Sequence, residues 1–205
     1  MVDAKNNGSL RQPRGMRWEP WLAGASVRGM RRIMVYGASG AGKSTLAKRI
    51  GERLGVPYHP IDDLTWEPGW VEVPDELQRE RVTAICAGDA WVIDAGYGRW
   101  VDVPMARVDL IVGLDFPRWV SLGRLVRRSA IRIVTREPIC NGNYESIRKT
   151  LFGSHSILRL HFRKFKHNQR RMRVWHADPG KPPVVLLASP AAVERWLSGV
   201  GNVSA

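Results

Sequence analysis

A cationic side chain followed by two hydroxyls, placed after a run of small residues, can grip a polyanion. The chain carries that arrangement at Gly37-Ala38-Ser39-Gly40-Ala41-Gly42-Lys43-Ser44-Thr45. The spacing G-x-x-x-x-G-K-[ST], set between a strand and a helix, is the pattern of a phosphate-binding loop. Small residues let the backbone wrap so that successive N–H groups point inward, and the following helix adds its positive end to the same anion. In this arrangement Lys43 bridges terminal phosphates and the Ser44 hydroxyl goes to Mg²⁺, so the expected ligands are ATP and Mg²⁺. A lysine confined there with no anion would be costly.

Further groups can act on what the loop holds. Asp94 ends the apolar run Trp91-Val92-Ile93, and Asp115 ends the run from Asp109 to Leu114. Ligands of open parallel sheets sit beyond the carboxyl ends of strands. Asp94 is therefore expected to join Ser44 in ordering the water shell of Mg²⁺, and Asp115 is a second candidate. Arg124 and Arg128 stand four residues apart and share a helix face, with Arg127 as an alternate, so two guanidiniums can grip a phosphoryl group opposite Lys43. Across the loop, His59-Pro60-Ile61-Asp62-Asp63 precedes Trp66-Glu67-Pro68-Gly69-Trp70. Asp62 or Asp63 could position an acceptor hydroxyl and take its proton, with tryptophans excluding water. Adjacent side chains point apart, so one acid is expected to serve.

The elements that must place these groups alternate. Strand signals cover residues 31–36, 56–61, 91–94, 109–115 and 184–188; helical signals cover 42–54, 75–86, 117–128, 156–173 and 190–197. Continuous apolar strands joined by helices predict an α/β fold, a parallel sheet covered by helices on both faces. Residues 129–155 read as an irregular, arginine-rich lid whose tip, Cys140-Asn141-Gly142-Asn143-Tyr144-Glu145, centres on an Asn-Gly turn. In the helix beyond it, Leu158, Phe162 and Phe165 are the expected buried face. His155, His161 and His167 share no narrow face, which argues against a zinc site. Residues 1–29 lack periodicity and read as a mobile extension; 30–205 form one domain.

Four segments carry a resemblance: Gly37 to Thr45; Asp62-Asp63-Leu64-Thr65-Trp66-x-Pro68-Gly69-Trp70; Trp91-Val92-Ile93-Asp94-Ala95-Gly96-Tyr97; and Leu114-Asp115-Phe116-Pro117-Arg118-Trp119. From about Arg31 to Leu197 the chain resembles the bacterial topology-modulation-protein family, a branch of the adenylate-kinase-like P-loop kinases. The resemblance implies a P-loop NTPase fold with a five-stranded parallel sheet of order 2-3-1-4-5, a mobile lid, and lid arginines at Arg124 and Arg128. The arginine that grips a monophosphate in adenylate kinases has no counterpart at its spacing, which Gly98 occupies, with Arg99 one residue later. The Asp62-Asp63 pair looks more like the acceptor-binding acids of kinases for small hydroxylated molecules.

Composition sets the outer bounds. The chain has 205 residues, 44% hydrophobic and 25% charged, enough for one globular domain. Its longest uncharged stretch, Pro182 to Val193, is too short and too proline-rich to span a membrane, so no membrane role is expected. Two cysteines, Cys86 and Cys140, make no disulfide framework, and a cytoplasmic setting is expected. The formal charge of +13 lies wholly between Arg118 and Arg173, where 15 basic residues face Glu137 and Glu145. Such a segment is built to meet polyanions.

The leading expectation is a phosphotransferase: ATP in the loop, a small-molecule phosphate acceptor such as a nucleoside, nucleotide or other hydroxylated compound near Asp62, and arginines closing over the transferred group. The alternative is a nucleic-acid-associated ATP-binding protein whose 118–173 segment, with Arg163, Lys164, Lys166, Arg170 and Arg171, contacts a phosphate backbone without reading bases. A monomer or weak dimer is the expected assembly.

Overall fold

The computed structural model describes residues 29–95, 99–145 and 156–200. The expected N-terminal extension therefore lies outside the described residues except at Gly29. Five strands form a parallel sheet: β1 (Arg32–Gly37), β2 (Tyr58–His59), β5 (Trp91–Ala95), β6 (Leu110–Leu114) and β7 (Val184–Leu187). Its order is β2-β5-β1-β6-β7, which is 2-3-1-4-5 when only the strands of this sheet are counted. Two short strands that the sequence did not signal, β3 (Trp66–Glu67) and β4 (Val71–Glu72), pair antiparallel as a separate hairpin.

Side-chain alternation along the central strand sorts the helices. Ile33 and Val35 face α1 (Lys43–Leu54) and α7 (Pro190–Gly199), in a core with Leu46, Ile50, Trp196 and Leu197. Met34 and Tyr36 point the other way, toward Val82 and Cys86 of α3 (Asp75–Ala87) and Met172 and Trp175 of α6 (Ile157–Ala177). Both sheet faces are thereby covered, as expected for strands without a polar face.

Three boundaries differ from the sequence expectation for physical reasons. The second strand shrinks to two residues, and Ile61, expected to end it, instead opens the one-turn helix α2 (Ile61–Thr65), which carries Asp62 and Asp63. The helix after β6, α5, runs Arg118–Thr135 and takes up seven residues assigned to the lid. It continues because Ser121, Leu125 and Ser129 keep one face buried, and it ends at left-handed Arg136 (φ 50°), two residues before Pro138. The irregular segment thus starts at 136, and its residues 146–155 lie outside the described ones. A short helix, α4 (Asp102–Met105), was not anticipated. Among the described residues no helix is long and apolar enough to cross a membrane.

Candidate active site

The phosphate loop leaves the end of β1 and enters α1 through Gly42, left-handed at φ 98° with no side-chain cap. The first turn of α1 therefore has N–H groups that no capping side chain takes up. Within the loop, Ala41 N–H donates to the Ala38 carbonyl at 3.2 Å, and Lys43 Nζ donates to the same oxygen at 3.2 Å. Burial lowers the Lys43 pKa; Asp94 and Asp62 work against that shift and Arg128 adds to it. Gly40 is obligatory on two counts. Its φ is +79°, and a Cβ there would overlap the Ser121 carbonyl oxygen and lie 2.7 Å from Leu125 Cβ. The loop is thus pressed against α5, and Arg124 Nη1 donates to the Ala41 carbonyl at 3.3 Å.

Ser44 and Asp94 meet as expected: the Ser44 hydroxyl donates to Asp94 Oδ2. Ile61 N–H donates to Asp94 Oδ1 at 3.0 Å, which fixes the carboxylate between α1 and α2. Asp94 is 6% exposed, and burial raises its pKa against the hydrogen bonds from Ser44 and Ile61. The buried Tyr58 hydroxyl lies beside this pair, and burial followed by the Asp94 charge pushes its pKa far up. A hydroxyl and a partly compensated carboxylate are the hard oxygen donors that suit Mg²⁺, so the residues present fit the ion.

On the acceptor side the two acids separate. Asp62 is the one whose charge is felt by Lys43, Asp94 and Arg128, while Asp63 has its pKa raised by burial and then by Asp62. The lid tip sits on the adjoining hairpin. Asn141 Nδ2 donates to the carbonyls of Asp63 and Trp66, both at 2.8 Å, and Asn143 Nδ2 donates to the Glu67 carbonyl at 3.0 Å. Trp70 N–H reaches Asn143 Oδ1 at 2.7 Å, and its indole N–H reaches the Tyr144 carbonyl at 3.0 Å. Trp66 and Trp70 pack edge to face, centroids 5.6 Å apart, so the pair also serves as the hairpin's seat for the lid. Arg99 bonds Asp75 and lies 3.4 Å from Glu72; Gly98 is outside the described residues.

Arg124, Arg127, Arg128 and Arg132 line one surface pocket of about 350 Å³ with Ile131 and Glu137. Arg124 sits at the loop and over the Phe116 ring, while burial lowers the Arg128 pKa against Glu145 and Asp62. Arg132 pairs with Glu145 at 3.1 Å. The α5 row therefore leads from the phosphate loop toward Asp62.

Two expectations are corrected. Asp115 accepts from Gln169 Nε2 and Arg173 Nε, both at 2.8 Å, and so ties α6 to the end of β6 instead of standing ready for a metal. The buried face of α6 is His161, Phe165, Asn168, Met172 and Trp175, while Phe162 is 51% exposed. Reading a histidine and an asparagine as polar rotated the predicted face. Placing them on the apolar 4-3-4-3 stripe with Phe165, Met172 and Trp175 would have found it. His161, which the sequence reading left without a role, reaches the Ser39 carbonyl of the phosphate loop at 3.0 Å.

This architecture is that of P-loop kinases. Shikimate kinase from Bacteroides thetaiotaomicron superposes with a TM-score of 0.50 at 18% identity, over 83% of this chain and 96% of its own. Shikimate kinase from Acinetobacter baumannii, solved in complex with shikimate, gives 0.50 at 18% identity over 83% and 90%. A gluconokinase from Sinorhizobium meliloti gives 0.46 at 19% over 83% and 91%. The structural neighbours are small-molecule kinases of the shikimate kinase and gluconokinase type. No protein-family profile and no curated protein matches the sequence.

Proposed function

We propose that the protein is an ATP- and Mg²⁺-dependent kinase that phosphorylates a hydroxyl of a small acceptor, a nucleoside, nucleotide or other hydroxylated molecule. Residues 30–205 are the catalytic unit, and free Cys86 and Cys140 accord with a cytoplasmic setting. The observation that carries this reading is the convergence of Lys43, Asp94, Arg128 and Asp62 at one loop mouth, each felt in the electrostatics of another. The four motif segments add the resemblance to the topology-modulation-protein branch.

In the proposed step Gly37, Ala38, Ser39, Gly40, Ala41 and Gly42, with Thr45 in the first turn of α1, hold the phosphates. Lys43 bridges the β- and γ-phosphates. Ser44 and Asp94 would hold Mg²⁺, which would supply positive charge to the phosphate oxygens when bound. Asp62 orients the acceptor hydroxyl. Its oxygen bonds to the γ-phosphorus as the bond from that phosphorus to the β,γ-bridging oxygen breaks, ADP leaves, and the acceptor proton passes to Asp62. Arg124 and Arg128 stabilise the charge spread over the transferring group.

Asp62→Asn is expected to lower kcat for transfer by about 10² or more while the Kd for Mg-ATP stays within about threefold. Asp63→Asn is expected to do less, because its backbone serves the lid and its side chain is not the acid facing Lys43. The measurement is a phosphate-transfer screen of nucleosides, nucleotides, polyols and hydroxy acids with Mg-ATP, then kinetics on the best acceptor. Wild-type transfer by both variants would place the acceptor elsewhere.

A second reading has its own observation. Arg159, Arg163, Lys166, Arg170 and Arg173 are exposed and spaced 4-3-4-3, a basic stripe opposite the buried face of α6. Such a stripe can follow a nucleic-acid backbone. If it does, replacing Arg159, Arg163, Lys166 and Arg170 with Ala should flatten the salt dependence of duplex DNA binding by about 0.9 log unit per lost phosphate contact and leave phosphoryl transfer intact. Salt-titrated binding isotherms decide, and an unchanged slope removes this reading.

A further inference from the structure

The carbonyl of a phosphate loop residue can accept but not donate, so the imidazole 3.0 Å from the Ser39 oxygen must carry its proton on Nδ1. His161 is 1% exposed, and among the described residues its buried Nε2 has no hydrogen-bond partner. Its ring lies against Phe165, centroids 5.4 Å apart, and Phe162 at 5.9 Å, with the Arg118 guanidinium over both phenyl rings. A proton on Nε2 would put an unsatisfied donor and a buried charge near Arg118 of α5 and Lys43 of α1. Burial, ahead of those two cations, lowers the His161 pKa, against the Ser39 bond. The ring is held neutral with one tautomer.

The helix bearing it is fixed to the same end of the sheet. Tyr36 of β1 donates to Asn168 at 3.2 Å, and Gln169 and Arg173 hold Asp115 beyond β6. His161 therefore approaches the loop from a rigid post. A trans peptide points its C=O and the next N–H in opposite directions. Turning the Ser39 carbonyl toward α6 thus turns the Gly40 N–H away from α6. Arg124 does the same from α5: by holding the Ala41 carbonyl it sets the Gly42 N–H.

We propose that His161 is a positioning residue for the phosphate loop, its Nδ1–H holding the Ser39–Gly40 peptide with the Gly40 N–H aimed at the bound phosphate. The assignment rests on the reading that this loop holds nucleotide phosphate. It gives the basic helix a direct mechanical link to the loop.

The experiment compares wild type with His161→Asn, His161→Gln and His161→Leu in the full chain. Asn places an amide donor where Nδ1 stands; Gln places it at the reach of Nε2; Leu removes it. Calorimetric titration with Mg-ATP and with Mg-ADP should show affinity down about tenfold in His161→Leu and within about threefold of wild type in His161→Asn, the loss of a net hydrogen bond and its rescue. Gly40 amide exchange in the nucleotide-free protein should quicken in the Leu variant and recover with Asn. Long-range ¹H–¹⁵N spectra of wild type should find His161 protonated at Nδ1 and bare at Nε2. Should the Leu variant fail to fold, Asn binding like wild type while Gln binds weakly supports the assignment, and the reverse overturns it. Equal binding by all folded variants, equal loss in Asn and Leu, or an Nε2–H tautomer each overturns it as well. A wild-type protein that binds neither nucleotide would defeat the nucleotide reading instead, and the tautomer and exchange results would still decide the peptide's orientation.

Discussion

Lys43→Ala is expected to lose phosphoryl transfer by about 10³ or more and to stay folded. The lysine is the cation built into the phosphate loop, its ammonium resting on the Ala38 carbonyl at 3.2 Å within the field of Asp94 and Asp62. A terminal phosphate would replace that weak carbonyl contact with a charge-assisted one, which forms most fully as negative charge develops in transfer. The stability expectation has a definite sign. Burial holds the folded-state pKa below its unfolded value, so the charged lysine destabilises the fold in full below the folded pKa, and that penalty fades as pH rises through the folded pKa and is gone above the unfolded one. Removing it should leave Tm unchanged or raised at neutral pH. Mg-ATP titration, turnover and thermal melts of the variant together check this. A folded variant with wild-type affinity and turnover would end the assignment of the loop.

An effect of similar size is expected at the arginine row. The Arg124→Ala/Arg128→Ala double variant should lower kcat by about 10³ to 10⁵, the range found when an arginine that neutralises a transferring phosphoryl group is removed. The two side chains are not equivalent. Arg124 touches the loop backbone at Ala41, whereas Arg128, about 6 Å further along α5, lies near Asp62. Arg124→Ala should therefore weaken nucleotide binding as well as turnover, because the Gly42 peptide loses its support. Arg128→Ala should act chiefly on kcat and on the acceptor KM. Since both would neutralise one phosphoryl group, the double loss should fall short of the product of the single losses. Steady-state kinetics of the three variants give the test. A double variant within tenfold of wild type would show that these arginines serve another ligand.

The lid contacts explain why acceptor and nucleotide should influence each other. Asn141 and Asn143 seat the lid tip on the hairpin that follows Asp62 and Asp63, while Arg132, bound to Glu145 near that tip, belongs to the row that begins at the phosphate loop. An acceptor that shifts the hairpin would move the far end of the same row.

Much of this was written in local sequence. The phosphate loop needs consecutive residues whose small size and spacing define the backbone path, so Gly37 to Thr45 was legible without a fold. Apolar continuity in Ile33–Tyr36, Trp91–Ile93 and Leu110–Leu114 likewise determined a parallel sheet, because strands buried on both faces cannot alternate with polar residues. Placing Ser44 beside Asp94 followed from those two facts, since the phosphate loop leaves the carboxyl end of β1 and Asp94 lies at that end of the neighbouring β5. What local pattern could not decide was which distant partner each polar side chain would find. Asp62 and Asp63 are chemically identical in sequence, and the start of α2 at Ile61 separates them. Asp115 looked like Asp94 until α6 brought Gln169 and Arg173 to it. His161 was weighed in the sequence only as a zinc ligand, although a neutral imidazole with an acceptor in reach can sit among phenyl rings on a buried face. Such pairings join residues up to 122 positions apart and depend on the order in which helices cover the sheet, so tertiary structure alone decided them.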